Sequence, residues 1–163
     1  MEILNDFNTS VKKSLEEIDP NYEKYNGLII CGTHSPHDEE MMIKKIKEAR
    51  ETQRPFLGIC FGHQLACIEW ARAKMNIKNA TSEEFGNGVF VVKKRREGLR
   101  VGLFNGESYW HNYEVAEGIE EEFNRLKPSS MITCQYHPEY QSSNDKPHKL
   151  LLEFLTICKH YGK

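Results

Sequence analysis

Apolar positions in this chain fall into two kinds of segment. "GLIIC" (27–31) and "FLGI" (56–59) are unbroken apolar runs, as expected of strands covered on both faces. Between them, Met42, Ile46 and Ala49 in 38–51 recur at i, i+4 and i+7, which marks one face of a helix. The same spacing returns in 62–74 with Leu65, Ile68 and Ala71. "MITCQY" (131–136) predicts another strand, and 147–161 a last helix carrying Leu150, Leu151, Phe154, Leu155 and Cys158. At the amino end "MEIL" reads as a short strand. "NTSVKKSLEEI" reads as a helix with a Ser/Thr/Asn start and Val11, Leu15 and Ile18 on one side. "VFVVKK" and "GLRVGLF" read as strands and as a candidate pair. Short buried strands alternating with helices predict an α/β fold with a mostly parallel sheet flanked by helices. In such sheets, sites form at the carboxyl ends of the strands.

Composition narrows the picture. A length of 163 residues predicts a single domain, 1–163, able to bury one core without disulfide or metal staples. Formal net charge is −2, which gives no electrostatic reason to expect nucleic acid or an anionic membrane as a partner. The basic run Lys93–Arg96 is short, is followed by Glu97 and reads as a solvated strand end. Five cysteines without repeated spacing fit free thiols in a reducing compartment better than a disulfide framework. The first twenty residues hold no apolar signal core, and no run approaches the ~20 apolar residues of a membrane span. The expectation is a cytoplasmic protein.

One stretch carries candidate chemistry. In Gly58-Ile59-Cys60-Phe61-Gly62 a buried strand ends on a cysteine between glycines, and a helical pattern follows at once. This is the layout of a nucleophile elbow, where a sharp turn lifts the reactive side chain above the sheet. The helix start aims backbone N–H groups and its positive dipole end at the sulfur, which favours thiolate. A buried structural cysteine is the competing reading, since free cysteine is often buried. Cys67, in mid-helix, has no such features and reads as core. A nucleophile needs a base, and the base an orienting group. "QYHPEY", after the predicted strand 131–136, supplies His137 and Glu139 two residues apart, on one side of an extended chain. Cys31-x-x-His34-x-x-His37 offers metal-ligand spacing but no evident fourth partner, so no metal is expected.

Together, "PFLGICFGHQLA" and "CQYHPEY" resemble the class I glutamine amidotransferases, and more narrowly the glutaminase domain of CTP synthase. "NATSEEF", "LRVG", "HNYEV" and "CQYHPEYQSSNDKPHKLLLEFL" extend the likeness over roughly residues 24–155. The resemblance implies a flavodoxin-like class I amidotransferase domain, shortened at the N-terminus so that "MEIL" begins at the family's second strand. It implies hydrolysis of the glutamine side-chain amide through a γ-glutamyl thioester, with ammonia passed to a separate synthase subunit and no cofactor. Carried over residue by residue, Cys60 is the nucleophile, His137 the base and acid, and Glu139 the orienter. The N–H groups of Phe61 and Thr33 form the oxyanion hole. Gly32, Gln64, Glu84 and Tyr136 line the substrate site.

The chain also departs from that pattern. The family's Pro-Gly-Gly-Phe-Gly-x-Arg-Gly loop reads Cys31-Gly32-Thr33-His34-Ser35-Pro36-His37-Asp38 here. Trp110 and Asn112 stand where the family carries arginines around "HRYEV". Three readings therefore stay open: a glutaminase serving a separate synthase, a Cys-His-Glu hydrolase of another γ-glutamyl or other amide, and a non-catalytic binding or regulatory relative.

Overall fold

The structure is a computed structural model describing residues 1–161. Four short strands form a parallel sheet in the order β1 (Glu2–Leu4), β2 (Leu28–Ile30), β3 (Phe56–Ile59), β9 (Met131–Cys134). Helices α1 (Thr9–Ile18) and α2 (Glu39–Thr52) link the first three strands in turn, and α3 (Phe61–Lys74) follows β3 directly. The unbroken apolar runs are explained by the two layers they face. Leu28, Ile30, Phe56 and Met131 pack toward α2, α3 and Phe123. Their neighbours Ile29, Leu57, Ile59 and Ile132 pack on the other side with Val11 and Leu15 of α1 and with Leu151, Phe154 and Leu155 of α5 (Lys149–His160). Because strand side chains alternate sides, a strand covered on both faces must be apolar at every position.

Beyond α3 the chain builds two smaller sheets. β4 (Ala80–Ser82), β5 (Val89–Lys94) and β8 (Tyr113–Val115) form one, with β5 central. β6 (Arg100–Phe104) and β7 (Glu107–His111) form a separate two-stranded hairpin. The expected pairing of "VFVVKK" with "GLRVGLF" is therefore wrong. β5 pairs with β4 and β8, while β6 turns back on β7 through Asn105-Gly106. Both turn residues have positive φ, 54° and 80°, the backbone that a two-residue hairpin loop demands. α4 (Glu117–Leu126), which the apolar pattern did not flag, packs Phe123 against Trp70 of α3. Among the described residues, no helix is long and apolar enough to cross a membrane.

Candidate active site

The carboxyl end of β3 runs into α3 with one residue between them, Cys60. Its backbone stands at φ 56°, ψ −101°, a left-handed conformation that a side-chain-bearing residue adopts only when its surroundings force it. The forcing contacts are visible. The Cys60 N–H donates to the Cys134 carbonyl at 2.8 Å, tying the corner to β9. A Cβ at Gly62 would stand 2.2 Å from the Ile30 carbonyl oxygen, and one at Gly58 2.8 Å from the Gly62 backbone. Only glycines at these two positions let the helix start close down on the sheet.

The residues after β9 meet this corner. His137 is buried, and its backbone N–H donates to the Ser108 carbonyl of β7 at 2.7 Å. Its Nδ1 lies 3.2 Å from Glu139 Oε2, and its ring stands beside Cys60, both meeting the space over Gly32. Burial pushes the imidazole pKa down. The neighbouring Cys60 and Glu139, with their charges, outweigh that and raise it to about 10. Glu139 is itself buried, and its Oε1 has no partner. Gly32 makes room for the ring, since a Cβ there would stand 3.2 Å from His137 Cε1. Burial pushes the thiols of Cys31, Cys67, Cys134 and Cys158 up, the last to about 12.

In front of Cys60 lies a cavity of about 220 Å³. Of the predicted site residues, Thr33, Cys60, Phe61, Gln64 and Glu84 line it. Phe61 opens α3, so its N–H has no acceptor within the helix. Gln64 is fixed by donating to the Tyr113 carbonyl at 3.0 Å. Glu84 is exposed at the rim. Protein packed on its inner side, and then the Glu39 carboxylate, push its pKa up. Thr33 has no positive φ, so a β-branched residue is carried there without backbone strain. Its hydroxyl accepts from the Ser35 N–H at 3.0 Å and bonds Asp6, holding that carboxyl below its usual range. Two of the residues expected in the substrate site do not line the cavity: Gly32, which lies beneath the His137 ring, and Tyr136, which packs between Tyr109 and His148 because it follows β9 on the face turned toward α5.

Other residues join the site that sequence reasoning passed over. Gln135 donates to Cys60 Sγ at 3.5 Å, and the Trp110 carbonyl accepts from the same thiol at 3.6 Å. Gln135 was findable, because it lies between the end of β9 and His137. Phe7 and His34 line the cavity with their rings 4.3 Å apart, and Trp110 packs 4.6 Å from His34. The Cys31–His34–His37 spacing is not gathered around one point: Cys31 is in the core, and His37 Nδ1 is turned to the Ser35 carbonyl at 2.7 Å. Among the described residues, no group of three or more His, Cys, Asp or Glu is placed to hold a metal ion.

The sequence pattern described as glutamine amidotransferase class-I matches residues 5–157. The chain belongs to the class I glutamine amidotransferase family. Within that family it is similar to CTP synthases. It is 27% identical to the enzyme of Pelagibacter ubique over 93% of this chain and 39% of that one. It is 31% identical to the enzyme of Methanoregula boonei over 83% of this chain and 34% of that one. The chain thus spans between a third and two-fifths of these relatives' length. A solved structure, the glutaminase domain of Trypanosoma brucei CTP synthase with bound acivicin, shares the fold. The TM-score is 0.73 at 16% identity, covering 98% of this chain and 94% of that one. This amidotransferase domain is therefore related to CTP synthase glutaminase domains, with the same mixed α/β architecture.

Proposed function

We propose that this domain hydrolyses the side-chain amide of glutamine or a closely related ω-amide, using Cys60, His137 and Glu139. The reading rests on one observation above all: a cysteine held at positive φ on a strand-to-helix corner, beside a buried histidine that is backed by a buried carboxylate. In this scheme Cys60 Sγ attacks the amide carbonyl. The oxyanion is held by the N–H groups of Phe61 and Thr33. His137 gives its proton to the departing nitrogen as the C–N bond breaks, and ammonia leaves a thioester on Cys60. A water, deprotonated by His137, then cleaves the thioester to free acid and thiol. Glu139 holds the imidazole through Nδ1 so that Nε2 faces the sulfur. No cofactor is needed for these steps. We further infer that a separate synthase subunit in the cytoplasm consumes the ammonia, by analogy with the relatives, which are CTP synthases.

The test is ammonia release from glutamine and a panel of γ-glutamyl amides, with brief labelling by a glutamine-like electrophile read by mass spectrometry. Cys60 is expected to label first and Cys60→Ser to release no ammonia. First labelling of Cys31 or Cys67, or equal ammonia release by Cys60→Ser, would discard the scheme in favour of a non-catalytic relative.

A further inference from the structure

The chemistry of the cavity differs between its floor and its walls, and the walls say what it selects. Among the described residues that line it, none is lysine or arginine, and the one carboxylate is Glu84. Glu84 forms no ion pair with any described cation. Two further lining residues keep unpartnered acceptors buried inside the cavity wall, away from its open surface. His111 is buried, and its Nδ1 lies 2.8 Å from the Tyr113 carbonyl. A carbonyl only accepts, so that nitrogen carries the proton and Nε2 is a bare lone pair, which has no partner. Burial, more than any other influence, holds this imidazole's pKa down, which keeps it uncharged. The buried Oδ1 of Asn112 is likewise unpartnered. The arginines that act on His111 are occupied elsewhere. Arg95 pairs with Glu114 at 2.6 Å, and Arg100 lies over the Phe104 and Tyr109 rings. The rings of Phe7 and Trp110 complete the rim.

Aromatic faces and one carboxylate, in a wall without lysine or arginine, attract a cation and repel an anion. Free glutamine carries both an ammonium and a carboxylate at its far end. The ammonium suits Glu84 and the aromatic rim. The carboxylate would enter a partly desolvated space with no cation to meet it, at a cost of several-fold in affinity or more. We propose that the preferred substrate is an ω-amide bearing a protonated amine and lacking a free carboxylate beside it. This inference rests on the hydrolytic reading of Cys60 given above.

Three amides separate the two charges. Glutamine has both. 4-Aminobutanamide is glutamine without the carboxylate, and glutaramate is glutamine without the amine. Ammonia release at pH 8 is expected to give kcat/KM about tenfold or more higher for 4-aminobutanamide than for glutamine, mostly through KM, with glutaramate lowest. Glu84→Gln should lower the rate on 4-aminobutanamide more than on glutaramate. Asn112→Arg, which brings a cation to the wall, should reverse the order of 4-aminobutanamide and glutamine. Glutamine turned over as well as or better than 4-aminobutanamide by the unmodified chain would overturn the inference and leave the hydrolytic reading standing. Turnover of none of the three, with no acyl group trapped on Cys60, would overturn both.

Discussion

The carboxyl edge of the parallel sheet and the β6–β7 hairpin face each other across one cavity, and they are built by opposite rules. At the sheet edge the backbone is over-determined. Cys60 is held at positive φ, Gly62 lies against the Ile30 carbonyl, and His137 is buried behind. On the hairpin, Val101 and Leu103 are 60% and 66% exposed and Trp110 is 44% exposed. Its inner strand touches the sheet edge at a few points: the Ser108 carbonyl holds His137, the Trp110 carbonyl accepts from Cys60, and the rings of Trp110 and Tyr109 meet those of His34 and Tyr136. The groups proposed to react thus sit where packing leaves no freedom, while those proposed to meet a substrate sit largely where sequence can change at little cost to the fold. The departures from the family pattern follow this division in part. Trp110 and Asn112 differ while Cys60, His137 and Glu139 match, but the 33–38 loop, which follows β2 at the sheet edge, differs as well.

The largest expected effects test the sheet edge as chemistry. His137→Asn should abolish amide hydrolysis, because it removes the base beside the thiol. Glu139→Gln should cost about a hundredfold less, since an orienting group contributes less than the base it holds. Steady-state rates with thermal melts of both variants check this. Equal, negligible losses would break the comparison, because the edge would then be structure only.

The next test is of packing alone. Gly62→Ala forces a methyl against a backbone carbonyl that cannot move without shifting β2, so a loss on the order of 3 kcal/mol is expected. Gly118→Ala in α4 meets nothing within 4 Å and should stabilise by about 0.5 kcal/mol. Denaturant unfolding of both variants measures the contrast. A mild Gly62→Ala would mean that the corner is not over-determined.

The same division explains what could be read from the sequence. β2, β3 and β9 were legible as apolar runs because burial on both faces leaves no other pattern, and the corner was legible because two glycines flank one cysteine. The hairpin was not. β6 is exposed at four of its five positions, so its hydrophobic pattern carries no information about its partner. The Asn105-Gly106 pair, a hairpin signal in its own right, was the cue that names β7. α4 escaped for another reason: it buries one side chain fully, Phe123, although Ile119, Phe123 and Leu126 keep helical spacing. Tyr136 was misplaced because the matching motif gave its neighbours a role, whereas alternation along the chain turned its ring toward His148.

A smaller effect concerns the buried His63, three residues past Cys60. Its Nε2 lies 2.7 Å from Glu120 Oε2, which ties α3 to α4. That hydrogen bond, ahead of the opposing effect of burial, holds the Glu120 carboxyl below its ordinary value of 4.5. A lowered folded pKa means that the stabilisation is fully present above 4.5 and is lost as pH falls through the folded value. With the Glu120 side chain 40% exposed, solvent screening keeps the term below about 1 kcal/mol. Melting of the unmodified chain and of Glu120→Gln should differ at pH 7 and converge near pH 3. A constant difference across that range would remove the pair from the stability of the edge.

The smallest effect is expected at the exposed aliphatic positions of β6. Val101 stands opposite Trp110, and Leu103 opposite Ser108, on a two-stranded sheet that no third strand covers. At 60% exposure, Val101 has little apolar area to lose, so Val101→Ser should change stability by no more than about 0.5 kcal/mol. It should also leave Cys60 labelling unchanged, because the contact that reaches the thiol is the Trp110 backbone carbonyl and not a side chain of β6. Chemical denaturation and timed alkylation of Val101→Ser measure the two quantities. A loss above 1 kcal/mol, or slower labelling of Cys60, would show that β6 is coupled to the sheet edge, and the separation between a fixed edge and a replaceable rim would fail there.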